Sequence, residues 1–179
     1  MPRTKQEEKP GIAIFLDFRK AFDTIEWNYL RAALQTFNFG PDILIWFQVI
    51  YNQASSCVLH NSHASDFFPL SGLLFVVGME LLARVLKNDH TIKGIRVDQK
   101  EIKITQHADD TAVLVRDVDS VTQLLKHLDK FKQITGLEID TNKTEAFWLG
   151  CWRSRKDKPF GFNGPKNRSM PLVYTFPMT

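Results

Sequence analysis

The residues best suited to chemistry are carboxylates in two widely separated stretches. Asp17 ends the apolar run Gly11-Ile12-Ala13-Ile14-Phe15-Leu16 and is followed by Phe18-Arg19-Lys20-Ala21-Phe22-Asp23. Asp109 and Asp110 sit between Gln106-His107-Ala108 and Thr111-Ala112-Val113-Leu114-Val115. In each case an apolar run of strand character delivers acids at its end or in a tight turn. Carboxylates placed that way on adjacent strands can hold Mg²⁺ through hard oxygen ligands, the usual arrangement for moving a phosphoryl group. Three such groups close together repel one another, and cations between them remove that cost. The plainer alternative is that Asp simply suits turns and element ends.

The elements that would position these acids follow from periodicity. Gly11 to Phe18 is apolar without alternation, as in a strand buried on both faces. Trp27, Leu30, Ala33, Leu34 and Phe37 recur at helical spacing, and Gly40-Pro41 ends that helix and opens another, with Ile43, Trp46, Phe47 and Ile50 as its apolar stripe. Ser56 to His60 and Asp66 to Leu70 read as a hairpin around Asn61-Ser62-His63. Leu73 to Leu86 reads as a helix with Leu74, Val77, Leu81 and Val85 on one face. Short strands are predicted over Ile92 to Val97 and Glu101 to Thr105. A further hairpin joins Thr105 to Ala108 with Thr111 to Val115, with Asp109-Asp110 in its turn. Ser120 is the expected N-cap of a helix carrying Leu124, Leu125, Leu128, Phe131 and Ile134, and Gly136 its stop. Ala146 to Leu149 adds a last strand. This order implies an α+β fold, a ferredoxin-like antiparallel sheet with helices packed on one face.

The chain has 179 residues, 44% hydrophobic and 24% charged, enough for one domain with a real core rather than a disordered segment. Residues 1–10 read as a disordered lead-in, 11–150 as the folded domain, and 151–179 as a basic, Pro- and Gly-containing irregular tail. Arg153, Arg155, Lys156, Lys158, Lys166 and Arg168 face one acid, Asp157, so the tail carries +5 of a net +3 and the remainder −2. A basic face on the folded part, the usual mark of unaided nucleic-acid binding, is not evident from net count. Two cysteines, Cys57 and Cys151, make no disulfide framework, and His60 with His63 lacks the partners of a zinc site. The longest apolar stretch is too short to span a bilayer and the N-terminus has no signal-peptide core, so no membrane association and an intracellular location, nuclear or cytoplasmic, are expected.

Three stretches together resemble one family. Leu16-Asp17-Phe18-Arg19-Lys20-Ala21-Phe22-Asp23 resembles the first acidic motif of the reverse transcriptase palm. His107-Ala108-Asp109-Asp110 resembles the family's Ala-Asp-Asp turn, with His where Tyr or Phe is usual. Thr135-Gly136-Leu137-Glu138-Ile139-Asp140-Thr141-Asn142-Lys143-Thr144 resembles the segment after it. Their flavour is that of non-LTR (LINE-type) retrotransposon enzymes, and the resemblance runs from about residue 11 to 150.

The resemblance implies a palm-like fold and RNA-directed DNA polymerase activity. In that reaction a primer 3′-hydroxyl attacks the α-phosphate of a deoxynucleoside triphosphate opposite an RNA template. Two Mg²⁺ ions (Mn²⁺ can replace them) about 4 Å apart assist. By resemblance Asp17, Asp109 and Asp110 are the catalytic, metal-binding acids, and the Phe18 carbonyl completes one metal's sphere. Phe22 either blocks a ribose 2′-hydroxyl or is an ordinary core residue. Lys143 either faces the triphosphate or is solvated. Asp23 reads as a helix cap rather than a ligand.

At Phe67-Phe68-Pro69-Leu70-Ser71-Gly72-Leu73 the family's Gln-Gly-Cys part, which helps position template and nucleotide, is missing. A palm fragment without fingers and thumb, with weak or no polymerisation, is therefore expected. The rival reading is a non-enzymatic, degenerate retrotransposon remnant. A receiver-type phospho-acceptor domain would instead put its acidic pair on the first strand.

Overall fold

The computed structural model describes residues 9–19, 24–51, 55–57, 59–60, 63–66, 68–69, 75–97, 99–107 and 110–164. Expectations for Phe22, Asp23, Phe67, Leu70 to Leu74, Ala108, Asp109, Lys166 and Arg168 lie outside those residues.

A four-stranded antiparallel sheet organises the chain, in the order β10-β1-β9-β8, where β1 is Gly11–Leu16, β8 Ile104–His107, β9 Asp110–Val115 and β10 Glu145–Leu149. The first strand is central, as its continuous apolar run requires. Its pairing puts Ile12 beside Val115 and Trp148, and Ile14 beside Val113 and Ala146. These residues share one face, because paired positions point the same way. That face meets the helices. Its partners are Leu30 and Leu34 of α1 (Trp27–Thr36), Phe75, Met79, Leu82 and Leu86 of α3 (Phe75–Asn88), and Val121, Leu124, Leu128 and Phe131 of α4 (Val118–Thr135). The architecture is the expected mixture of helices and antiparallel sheet.

Several local expectations are corrected. The buried face of α3 is Phe75, Gly78, Met79, Leu82, Ala83 and Leu86, whereas Val85 is exposed. Counting only large apolar residues missed that Gly78 and Ala83 face inward. A Cβ on Gly78 would lie 2.8 Å from Ile25 Cδ1 and 3.0 Å from Tyr29 Cε1, so α1 packs on α3 where the side chain is missing. On α2 (Pro41–Tyr51), Phe47 is buried, while Ile43, Trp46 and Ile50 are exposed, with Ile45 and Val49 beside them. Asp117, not Ser120, caps α4. Asp117 is extended and accepts the Ser120 N–H at 2.8 Å and the Ser120 hydroxyl at 2.6 Å, while Ser120 Oγ accepts Lys93 N–H. Gly136 ends α4 as expected, at φ +76°, where glycine carries no Cβ penalty.

The first hairpin is two short ladders. One pairs β2 (Ser55–Ser56) with β5 (Phe68–Pro69), and the other pairs β3 (Leu59–His60) with β4 (His63–Ala64). The register differs by one between the ladders, Ser56 pairing with Phe68 but Leu59 with Ala64. The strand predicted over Glu101 to Thr105 is likewise interrupted. Here β7 (Lys100–Ile102) pairs with β6 (Ile95–Val97), and β8 starts afresh at Ile104.

Lys103, between those strands, is buried, and its ammonium donates to the Lys87 carbonyl at 2.9 Å and the Asp89 carbonyl at 2.7 Å. It thereby closes the carbonyl end of α3, where a cation is favoured. The Asp89 carboxylate accepts the Thr91 N–H and hydroxyl, both at 2.7 Å, and meets His127 Nε2 at 2.6 Å, tying α3 to α4. The Thr91 and His127 hydrogen bonds hold the Asp89 carboxyl well below the ordinary carboxylate range.

A depressed carboxylate stabilises the fold above its unfolded value, about pH 4, and that contribution is lost as pH falls toward the folded value. Asp89→Asn is therefore expected to lower stability at pH 7. The difference from wild type should stay constant above about pH 5 and shrink below about pH 4. Urea denaturation across pH reads this, and a difference independent of pH would reject it.

Candidate active site

At the end of β1 the chain keeps its course but changes neighbours. Leu16 pairs with Thr111, so the same register carried one step further sets Asp17 opposite Asp110. Side chains of such a pair have Cβ atoms about 4.5–5.5 Å apart on one face. Ile12, Ile14 and Leu16 point to the helices, so Asp17 points to the other side of the sheet, along with Phe15. The Asp17 side chain is 44% exposed and Asp110 is exposed. The extrapolated register therefore places both acids at one sheet end that water and ions can reach. Asp110 is the first residue of β9, paired with His107, rather than part of the turn as expected. Asp109 lies outside the described residues.

The segment after α4 locks this strand end. Phe18 forms an antiparallel bridge with Ile139. Its flanking bonds are Asp140 N–H to the Asp17 carbonyl, 2.8 Å, and Arg19 N–H to the Glu138 carbonyl, 2.9 Å. Asp17 N–H donates to Thr144 Oγ1 at 3.2 Å. All these bonds leave the strand on the β10 side. Peptide groups alternate sides along an extended chain, so the Phe18 carbonyl is turned toward β9, the side of Asp110. The Phe18 ring meanwhile is buried in the core. Lys143 reaches the same place from the other direction, its ammonium 4.0 Å from Asp17 Oδ1 and the side chain 64% exposed.

The structure thus brings together Asp17, Asp110, Lys143 and the Phe18 carbonyl from three separate stretches. Phe22 and Asp109 lie outside the described residues. Among the described residues no three His, Cys, Asp or Glu side chains cluster to hold a metal, and the expected third carboxylate is Asp109. Two solvent-accessible carboxylates and a backbone carbonyl at one sheet end are nonetheless hard oxygen ligands of the kind that Mg²⁺ or Mn²⁺ prefers.

Sequence reasoning singled out the stretch holding Asp140 and Thr144 but gave these two residues no role. Thr144 is fully buried, and its hydroxyl fixes the Asp17 peptide. The Asp140 carboxylate accepts the Asn142 N–H at 3.0 Å, shaping the turn that presents Lys143. The Asp-x-Asn spacing of an Asx turn was the available signal. Arg19 stands between Glu138 at 3.8 Å and Asp140 at 3.9 Å, a surface network that reinforces the same bridge. Lys132 donates to Glu138 at 2.7 Å and is the main reason the Glu138 carboxyl lies below its usual range.

A family model described as "Reverse transcriptase (RNA-dependent DNA polymerase)" matches residues 2–166. The chain belongs to the reverse transcriptase family. Among curated relatives, it is 22% identical over 145 residues to the "Transposon TX1 uncharacterized 149 kDa protein" of Xenopus laevis, covering 75% of this chain and 11% of that protein. Two solved telomerase structures from Candida tropicalis are also similar. One is the apo enzyme truncated from its C-terminal domain, with a TM-score of 0.54 at 11% identity, covering 80% of this chain and 32% of that one. The other is telomerase in complex with a fragment of telomeric RNA, with a TM-score of 0.53 at 11% identity, covering 82% and 27%. These likenesses show a shared fold, that of a reverse transcriptase core. The transposon relative agrees with the retrotransposon character of the sequence motifs. The chain spans about a tenth of that relative's length and about a third or less of each telomerase chain.

Proposed function

We propose that this chain is the metal-binding palm of an RNA-directed DNA polymerase, using Asp17, Asp109 and Asp110 to hold Mg²⁺ for nucleotidyl transfer to a DNA primer. The observation that carries the reading is the register that pairs Leu16 with Thr111, which carried one step further puts Asp17 opposite Asp110, on the sheet face away from the helices. Bound there, divalent cations would polarise the α-phosphate and lower the pKa of the attacking 3′-hydroxyl. The protein's own part is positional. The Phe18–Ile139 bridge and the Thr144 hydroxyl fix the Asp17 peptide, and with it the Phe18 carbonyl. Lys143, close to Asp17, adds a cation where triphosphate charge would gather. In the apo protein it offsets part of the repulsion between the acids. Its place beside an acid favours the triphosphate reading over plain solvation. RNA as template is supported by the family description and by the telomerase relative that binds telomeric RNA.

The test is primer extension on an RNA template with Mg²⁺ or Mn²⁺ and deoxynucleoside triphosphates. The expected result is slow extension that requires the cation and vanishes in Asp110→Asn. Slowness follows from the missing Gln-Gly-Cys segment, since small misplacements of reactants cost large rate factors. Extension that survives Asp110→Asn, or Mn²⁺ binding of equal affinity in wild type and Asp110→Asn, overturns the reading.

A further inference from the structure

The basic stretch after β10 is not a free tail over its first part. A short 3-10 turn, Gly150–Trp152, leads into residues 153–158, and a second, Pro159–Gly161, returns the chain to the sheet. Pro159 and Phe162 are buried, and Asn163 bridges to Glu145 alongside β10. Between these anchors the Arg155 guanidinium lies 4.1 Å from the Trp148 ring centre and 5.7 Å from that of Trp152, and the two indoles meet edge to face at 5.5 Å. Trp148 Nε1 donates to the Asp157 carbonyl at 2.8 Å. Arg155 grips the Asp157 carboxylate with two nitrogens, at 3.1 and 3.0 Å.

This knot uses up the loop's one acid on Arg155. Arg153, Lys156 and Lys158 are left exposed, and among the described residues none pairs with an acid. Long cationic side chains displayed on a fixed loop bind polyanions without first ordering the backbone. The same strand leads to the acidic end. Four strand steps of β10, about 14 Å, separate Leu149 from Glu145. Asn163, bridged to Glu145, donates from its side chain to the Asn142 carbonyl, next to Lys143.

We propose that Arg153, Lys156 and Lys158 form a nucleic-acid backbone contact, holding phosphates a few nucleotides away from the Asp17–Asp110 site. The inference rests on the polymerase reading for the location of the strand's end. Its chemistry is charge alone. The Trp148 ring already carries Arg155, so base stacking has no free platform there, and binding is indifferent to sequence. Asp17 lies two strand steps beyond Phe15, the partner of Glu145, so at about 3.4 Å per nucleotide along a strand the loop lies about six nucleotides from the acids.

The experiment is fluorescence anisotropy with a labelled RNA–DNA hybrid over a range of salt, with chelator present. Each phosphate that is no longer neutralised lowers the log–log salt slope by about 0.7–0.9. The triple variant Arg153→Gln, Lys156→Gln, Lys158→Gln is expected to lower the slope by about two to three and to weaken binding at least tenfold at low salt. The charge-matched control Lys100→Gln, Lys126→Gln, Lys130→Gln, all exposed elsewhere, is expected to keep the wild-type slope. Equal slopes in wild type and the loop variant, equal losses in both triple variants, or no binding by wild type each overturn the proposal. The assay uses no divalent cation. A failed loop variant therefore leaves the metal reading standing, and a failed extension assay leaves this one standing.

Discussion

Asp17→Asn is expected to lower the affinity for Mn²⁺ at least about tenfold while leaving the fold intact, since groups that only support a ligand already cost 10–100-fold when removed. The substitution keeps the shape of the side chain and deletes one charge. Among the described residues that charge has one exposed cationic partner, Lys143 at 4.0 Å, and such pairs are worth about 1 kcal/mol or less. Against this stands the repulsion from Asp110 across the ladder, which the variant relieves. Without metal the thermal midpoint should therefore stay level or rise slightly. With Mn²⁺ the wild type should gain stability by mass action and the variant much less. A ligand acid has opposite signs in the two conditions, whereas a structural acid loses stability in both. Calorimetric titration and paired melting curves with and without metal read the difference. Equal Mn²⁺ affinity in wild type and variant would sink the metal role.

Phe75→Ala is expected to remove about 3–5 kcal/mol of stability. Phe75 is fully buried at the start of α3, within the cluster that joins the helices to β1 and β9. Its truncation leaves a cavity that a close-packed interior fills only in part. A domain holds about 5–15 kcal/mol in total, so the variant stands near the threshold of unfolding. Urea denaturation should show a lower midpoint with the slope unchanged. A loss below about 1 kcal/mol, the size of a tolerated volume-conserving swap, would mean that the helix start is not packed as described.

Much of this was legible before any coordinates. The central strand, short strands on either side of residues 98 and 108, a helix carrying Leu124, Leu128 and Phe131, and its glycine stop all follow from period and turn chemistry. So do the candidate acids, because a strand followed by Asp is a local signal. Less legible was whatever depended on what lies opposite. Gly78 reads as a weak spot in a helix until Ile25 and Tyr29 are seen against it. Ile43, Trp46 and Ile50 make a convincing stripe, yet α2 turns Phe47 and Leu44 inward, because a stripe says that a face is apolar and not which neighbour covers it. Asp117 and Ser120 are both good caps by residue type, and only backbone angles choose Asp117. The run after Gly150 reads as irregular chain because Pro159, Gly161, Gly164, Pro165 and Pro171 punctuate it. Its order comes from Arg155 meeting Trp148 and Trp152, pairings that composition does not encode.

The alternation along β1 also governs how this protein can change. Inserting or deleting one residue between Ile14 and Asp17 would put the acid and the isoleucines on the same side of the sheet, sending either the acid into the apolar interior or the isoleucines out of it, whereas a change of two would restore the alternation. Viable length variants of this segment should therefore differ by even numbers. Odd ones should lose either the packed apolar face or the acid's place on the other one, since odd and even positions serve opposite sides.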